Sequence, residues 1–154
     1  MKQQHSDRTA CPVACSLDIL GDRWTLLIIR DLMFFDKHEY KDFLAGEEGI
    51  STNILSDRLK RLLDHHLVYV IPHPEIGTRK LYYLAQKGKD LVETLTHLIR
   101  WSSVHLPDEV YIPQEKLKIL RDHPDLMIRN TLADLDKWEK GNGIHALLVS
   151  RGAC

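Results

Sequence analysis

The residues of this chain able to do chemistry are three cysteines, nine histidines and a run of polar side chains that follows Ser51. The cysteines and histidines suggest metal first. Yet His65 and His66 are adjacent, His97 and His105 lie eight apart, and no compact Cys/His spacing matches a zinc site. Nor does any nucleophile–base constellation or Gly-rich phosphate loop stand out. The expectation is a protein with no catalytic residues, no metal and no cofactor, and therefore not an enzyme. Cys11 directly precedes Pro12 at the start of a predicted helix. A helix N-terminus lowers a thiol's pKa and favours thiolate, which makes Cys11 a candidate reactive thiol. The alternative is a small buried hydrophobe. Cys15 is four residues on, where an intrahelical bridge to Cys11 has poor geometry. Cys154, at the extreme end, is read as incidental. An odd count does not suit a secreted disulfide framework, so reduced thiols and a cytoplasmic location are expected.

The polar run carries a different chemistry. Thr52, Asn53, Ser56 and Lys60 lie along a predicted helix that opens at Ser51. Asparagine pairs bidentately with adenine, and lysine donates to guanine. Serine and threonine reach bases or phosphates. Arg58 falls nearer the apolar side, where a phosphate contact or packing by its stem fits better than base reading. Asp57 is disfavoured, because phosphate repels a carboxylate. Arg79 and Lys80 stand further on, where a basic side chain can hold phosphate or enter a minor groove. Net charge is −1 overall, but residues 51–80 hold five basic against three acidic side chains. The candidate DNA-binding set is thus Thr52, Asn53, Ser56, Arg58, Lys60, Arg79 and Lys80.

The elements that must position this set are legible. Residues 12–20 form a short helix with Pro12 in its first turn. Asp22 caps a second, about Arg23 to Phe35, which is apolar on nearly every side and so reads as a buried centre. A third runs from about Glu39 to Ala45, with Gly46 as its stop. Ser51 then caps a helix from Thr52 to about His65, with Ile50 and Leu55 poised as a hydrophobic staple. Leu55, Leu59, Leu62 and His66 share its apolar face, and Asn53, Asp57, Lys60, Arg61 and Asp64 project opposite. Residues 68–73 and 79–84 are strand-like around a Pro/Gly turn, giving a hairpin. A long helix follows, about Gln86 to His105. Its apolar stripe is wider than one core contact requires. Leu91, Leu95, Leu98 and Trp101 in that stripe are candidate dimerisation residues. Pro124 starts a further helix that Gly141 stops, with Met127, Ile128, Leu132, Leu135 and Trp138 on its apolar side, and residues 144–149 form a final apolar run. No apolar run approaches the ~20 residues a membrane span needs.

The stretch from Cys11 to Leu32, CPVACSLDILGDRWTLLIIRDL, resembles the HxlR family of winged-helix regulators. The resemblance continues through Phe43, through Gly49–Leu62, Leu67-Val68, Arg79, Tyr82, Leu84, Gly88 and Trp101. It implies a mainly α fold with a small β-hairpin, a winged helix-turn-helix dimerising through its terminal helices, about residues 12–20 and 86–105. It implies a MarR-like homodimeric regulator of transcription, repressor or activator, with a double-stranded DNA operator as partner. Some members sense oxidants or electrophiles through a cysteine at the place of Cys11, which adds a thiol-reactive or small-molecule effector as partner. The chain departs from the family at Ala85, where a threonine cap is usual, and in residues 107–154, which lie outside the resemblance. The organisation expected is a flexible segment over 1–10, the winged-helix domain over 11–106 and a helical extension over 107–154, packed onto the dimerisation region. A winged-helix module that binds protein instead of DNA is the competing reading.

Overall fold

The computed structural model describes residues 10–144. The segment expected to be flexible, apart from Ala10, lies outside them, as do Cys154 and all but Ile144 of the final apolar run. Helix α1 spans Pro12–Leu20 and α2 spans Arg23–Phe34. Asp22 caps α2 by accepting from the backbone amides of Trp24 and Thr25 at 3.1 Å and from the Thr25 hydroxyl. Short α3 covers Tyr40–Leu44; the Asp42 carboxylate accepts from the Glu39 amide at 2.9 Å at its start. Helix α4 covers Thr52–Asp64. The Ser51 hydroxyl accepts weakly from the Ile54 amide at 3.4 Å, so the cap lies where the sequence places it.

The far end of α4 departs from expectation. Leu55, Leu59 and Leu62 are buried, but His66 is exposed and leaves the apolar face. Its φ is +56°. The His66 amide donates to the Leu63 carbonyl and the Leu67 amide to the Leu62 carbonyl. That paired closure is a Schellman turn, with histidine in the left-handed position glycine usually fills.

Strands β1 (Val68–Pro72) and β2 (Lys80–Leu84) pair antiparallel, with Val68 opposite Leu84 and Pro72 opposite Lys80. The β2 edge is also held by residues 38–39: the Tyr82 amide donates to the His38 carbonyl at 2.8 Å, and Glu39 bridges Leu81.

The single long helix expected after the hairpin is two. Helix α5 covers only Gln86–Lys89, and α6 runs Val92–His105. Gly88 lies so near the Leu67 carbonyl that a Cβ there would sit 2.2 Å from its oxygen. This docking fixes α5 against the end of α4. The Leu91 amide then closes back on the Gly88 carbonyl three residues earlier, tightening the turn and separating the two helices. Ala85 makes no side-chain cap to α5.

Beyond residue 106, α7 (Gln114–Asp122) had no counterpart in the sequence reading, whereas α8 covers Pro124–Gly141 as read. Both pack on α6, and α8 also reaches α2. One core gathers Ile29 and Leu32 of α2, Leu55 and Leu62 of α4, Val68 and Leu84 of the hairpin, and Leu95 of α6. Leu135 of α8 belongs to the same core. The Trp138 ring stacks on His38 at 3.5 Å, and Lys89 pairs with buried Glu139 at 2.6 Å. Ile144 closes a second small cluster against Ile71, Leu81 and Tyr83.

Candidate nucleic-acid interface

Helix α4 buries its leucine face and turns the remainder outward. Thr52, Asn53, Ser56 and Lys60 are all exposed. No hydrogen bond or ion pair engages the side chains of Thr52, Asn53 or Lys60 among the described residues. The Ser51 hydroxyl serves the Ile54 amide, and the Leu55 amide begins the helical ladder. The amides of Thr52 and Asn53 therefore remain as open donors at the positive end of a helix dipole, which suits an anion.

Three side chains on α4 are committed elsewhere. Ser56 Oγ lies 2.9 Å from the Tyr40 hydroxyl, which donates to the Thr52 carbonyl at 2.9 Å. Tyr40 thus clamps the first turn of α4 to α3, leaving Ser56 less free than its exposure alone indicates. Arg58 Nε donates to Asp22 at 2.8 Å, and its Nη1 donates to Asp57. The hydrogen bond to Asp22 raises the Arg58 pKa further. Burial pushes the Asp22 carboxyl up, but the Thr25 hydroxyl and the Arg58 guanidinium outweigh it and hold the group below its ordinary range. Arg61, read as projecting outward, instead reaches back to donate to the Asp18 carbonyl of α1.

The turn before α4 is braced from α2. Arg30 donates to Glu48 and pairs with Asp31 at 2.5 Å. The Arg30 hydrogen bond holds the Glu48 carboxyl down at about 2. Gly49, next to it, has φ +69°, a backbone state that side chains resist. These braces were not evident from sequence. Asp22, Tyr40 and Glu48 act across helix junctions, and local spacing carries no trace of such contacts.

On the wing, Lys80 is exposed without an ion pair among the described residues, whereas Arg79 lies 3.6 Å from Glu39, which also pairs with Lys41. Of the candidate dimerisation residues, Leu95 is a core residue at 5% exposure and Leu91 packs half-buried against that core. Leu98 and Trp101 are 49% and 54% exposed. Val104 extends the same open face of α6, and Val13 and Leu17 stand open on α1. Cys11 is exposed at the N-cap of α1, and Cys15 is exposed one turn on. Among the described residues no His/Cys/Asp/Glu group is placed to hold a metal, and no helix is long and apolar enough to cross a membrane.

A central α2, the α3–α4 pair and the hairpin define a winged helix-turn-helix protein, mainly α with one two-stranded sheet. The chain belongs to the HxlR-like helix-turn-helix family, whose model matches residues 19–110. It is 30% identical over 110 residues to the HTH-type transcriptional regulator YodB of Bacillus subtilis, covering 70% of this chain and 97% of that one. It is 35% identical over 95 residues to the HTH-type transcriptional regulator Rv3095 of Mycobacterium tuberculosis, covering 62% of this chain. The match spans 59% of the length of that mycobacterial relative. Among solved structures, PA1607 superposes with a TM-score of 0.60 at 34% identity, over 68% of this chain and 73% of that one. Reduced YodB does so with a TM-score of 0.52 at 29% identity, over 63% and 95%. The relatives are transcriptional regulators, not enzymes. Helices α7 and α8 lie beyond the family match.

Proposed function

We propose that the chain is a homodimeric transcriptional regulator acting in the cytoplasm on double-stranded DNA, with α4 in the major groove and the wing on the flanking backbone. The observation that carries this reading is the outward face of α4: Thr52, Asn53 and Lys60 stand exposed and unengaged at a helix N-terminus whose opposite face is locked into the core. Recognition helices present base-reading groups in that way. Asn53 and Lys60 are the base readers, with Thr52 and the open amides on a phosphate. Ser56 contributes only if Tyr40 yields it. Arg58 holds the angle of α4 against α2 through Asp22, and its phosphate role is secondary. Lys80 holds phosphate, and Arg79 joins it after releasing Glu39.

The dimer forms through the open apolar faces of α1 and α6, with Leu98, Trp101 and Val104 as its centre. An exposed band of that kind on a small protein marks an association surface. Leu91 and Leu95 support α6 from beneath. Cys11, exposed on α1 within this region, is the candidate redox-sensing thiol, since oxidation there alters the helix that joins the subunits.

The test is an electrophoretic shift screen of genomic fragments with the full chain. A retained fragment whose affinity falls steeply with salt supports the reading. Binding with a salt slope near zero, or none at all, overturns it in favour of a protein-binding winged helix. Repeating the shift with diamide on wild type and on Cys11→Ser tests the thiol. Altered binding in wild type alone supports sensing, and identical responses overturn it.

A further inference from the structure

Helices α7 and α8 do more than thicken the fold. With α2, α6 and the link before α7 they line a half-open cavity of about 540 Å³. That lies within the range of small-molecule sites, roughly 300–1,000 Å³. Its walls are mainly apolar, with Met33 from α2, Ile99 from α6, Leu120 from α7 and Met127 from α8. Thr131 and Asp134 supply polar groups from α8, three residues apart and so on one face of that helix. Neither side chain has a hydrogen bond or ion pair among the described residues. Two aromatic rings at the cavity stay in water: Tyr111 is 91% exposed and Phe35 is 58% exposed. An aromatic side chain gains by covering its faces; Tyr111 is left almost wholly open, and Phe35 is met by the cationic ends of Arg30 and Lys37, 5.2 and 6.0 Å from its ring centre.

The cavity is not the dimer face. Ile99 is turned roughly 100–160° around α6 from Leu98, Trp101 and Val104, at 3.6 residues per turn. A partner helix seated on the exposed stripe leaves Ile99 on the other side. The cavity is instead connected to the DNA-facing elements. Arg30 lines it, and the same guanidinium holds Glu48 in the turn that launches α4. Arg30 also lies 5.2 Å over the Phe35 ring, so a molecule covering Phe35 meets Arg30.

We propose that this cavity is an effector site for a small molecule with an aromatic or alicyclic body and one hydrogen-bond-donating end, and that its occupancy reaches α4 through Arg30 and Glu48. The body lies against Ile99, Met127 and the two open rings. The donor end meets Asp134 and Thr131. The site itself stands independently of DNA binding; the coupling rests on the function proposed above.

N-phenyl-1-naphthylamine, a neutral aromatic amine that fluoresces in apolar surroundings, is the probe. Titration of the full chain gives saturable enhancement with one probe per chain. Met127→Trp and Ile99→Trp fill the cavity from two different helices, and each weakens the probe by about tenfold or more, a 1.4 kcal/mol change. Circular dichroism checks that both still fold. Asp134→Leu, at an exposed position, weakens it several-fold and serves if the tryptophan variants unfold. Undiminished probe binding in the folded variants overturns the site. For the coupling, saturating probe changes affinity for a wild-type-selected genomic fragment, and Glu48→Gln keeps probe affinity but abolishes that change. An unchanged affinity in wild type overturns the coupling. If no fragment is retained at all, the DNA-binding reading and the coupling fall together, while the probe titration still decides the site.

Discussion

At the scale of single residues, the groups on and around α4 divide into proposed readers and braces, and the two should respond differently to substitution. If Asn53 reads a base as proposed, Asn53→Ala should cost about 1–3 kcal/mol of DNA affinity, with preference relaxed at one base position. If Lys80 holds a phosphate as proposed, Lys80→Ala should weaken all sequences alike and lower the salt slope by about one. Binding isotherms at several salt concentrations distinguish the two. Glu48 is a brace. The Arg30 hydrogen bond holds its pKa down to about 2 from an ordinary 4.5. A carboxyl depressed on folding stabilises the protein fully above its unfolded pKa and loses that contribution as pH falls toward its folded one. Its contribution is on the order of 1 kcal/mol, since solvent partly screens the pair. Urea titrations comparing wild type with Glu48→Gln should show a gap at pH 6 that narrows steadily from pH 5 to pH 2. A gap independent of pH contradicts this account.

At the scale of elements, two glycines set the helix junctions for different reasons. At Gly88 the obstacle is steric, because a Cβ would sit 2.2 Å from the Leu67 carbonyl oxygen. Gly88→Ala must push α5 away from the end of α4, at a cost of about 3 kcal/mol, the upper end for overpacked core sites. At Gly49 nothing lies within 4 Å of an added Cβ, but φ is +69°. Gly49→Ala costs only the left-handed backbone penalty, about 1–2 kcal/mol. Thermal melts should rank Gly88→Ala well below Gly49→Ala; the reverse order refutes the steric argument. The same junctions mark where sequence reading stopped. The apolar spacing through residues 86–105 fits one helix, and the docking of Gly88 on Leu67 breaks it. The apolar spacing of α4 likewise runs on to His66, but the Schellman closure removes that residue from the face.

At the scale of the whole molecule, the extension and the body share a core. Truncation after Leu106 removes Leu135 from it, together with the Trp138–His38 stack and the Lys89–Glu139 pair. Loss of Leu135 alone, as in Leu135→Ala, costs about 2–4 kcal/mol by leaving a cavity. The truncated chain should therefore melt far below the full one, and equal melting temperatures would show the extension to be energetically separate. The apolar stripe on α6 makes an opposite kind of prediction. Trp101→Glu should leave the fold intact, because the ring is half in water, but place charge in the face proposed above to join two subunits. Sedimentation should show monomer where wild type shows dimer.

Sequence by itself determined the order of the elements through the hairpin, the cap at Ser51, the outward placement of Thr52, Asn53 and Lys60, and the family, through Cys11–Leu32 and Gly49–Leu62. Those features rest on local periodicity, capping chemistry and residues in register, which act over a few positions and survive without a fold. Only the tertiary structure decided which polar side chains are free. Arg61 looks as available as Lys60 in a helical projection, with Ser56 and Arg58 nearer the apolar side, but the Asp18 carbonyl, Tyr40 and Asp22 reach these three from other segments. It likewise decided that Leu95 faces inward while Trp101 faces out, and that α7 and α8 line a half-open cavity beside α2. Ion pairs and cavities are made between segments distant in sequence, so their partners are settled only when packing brings those segments together.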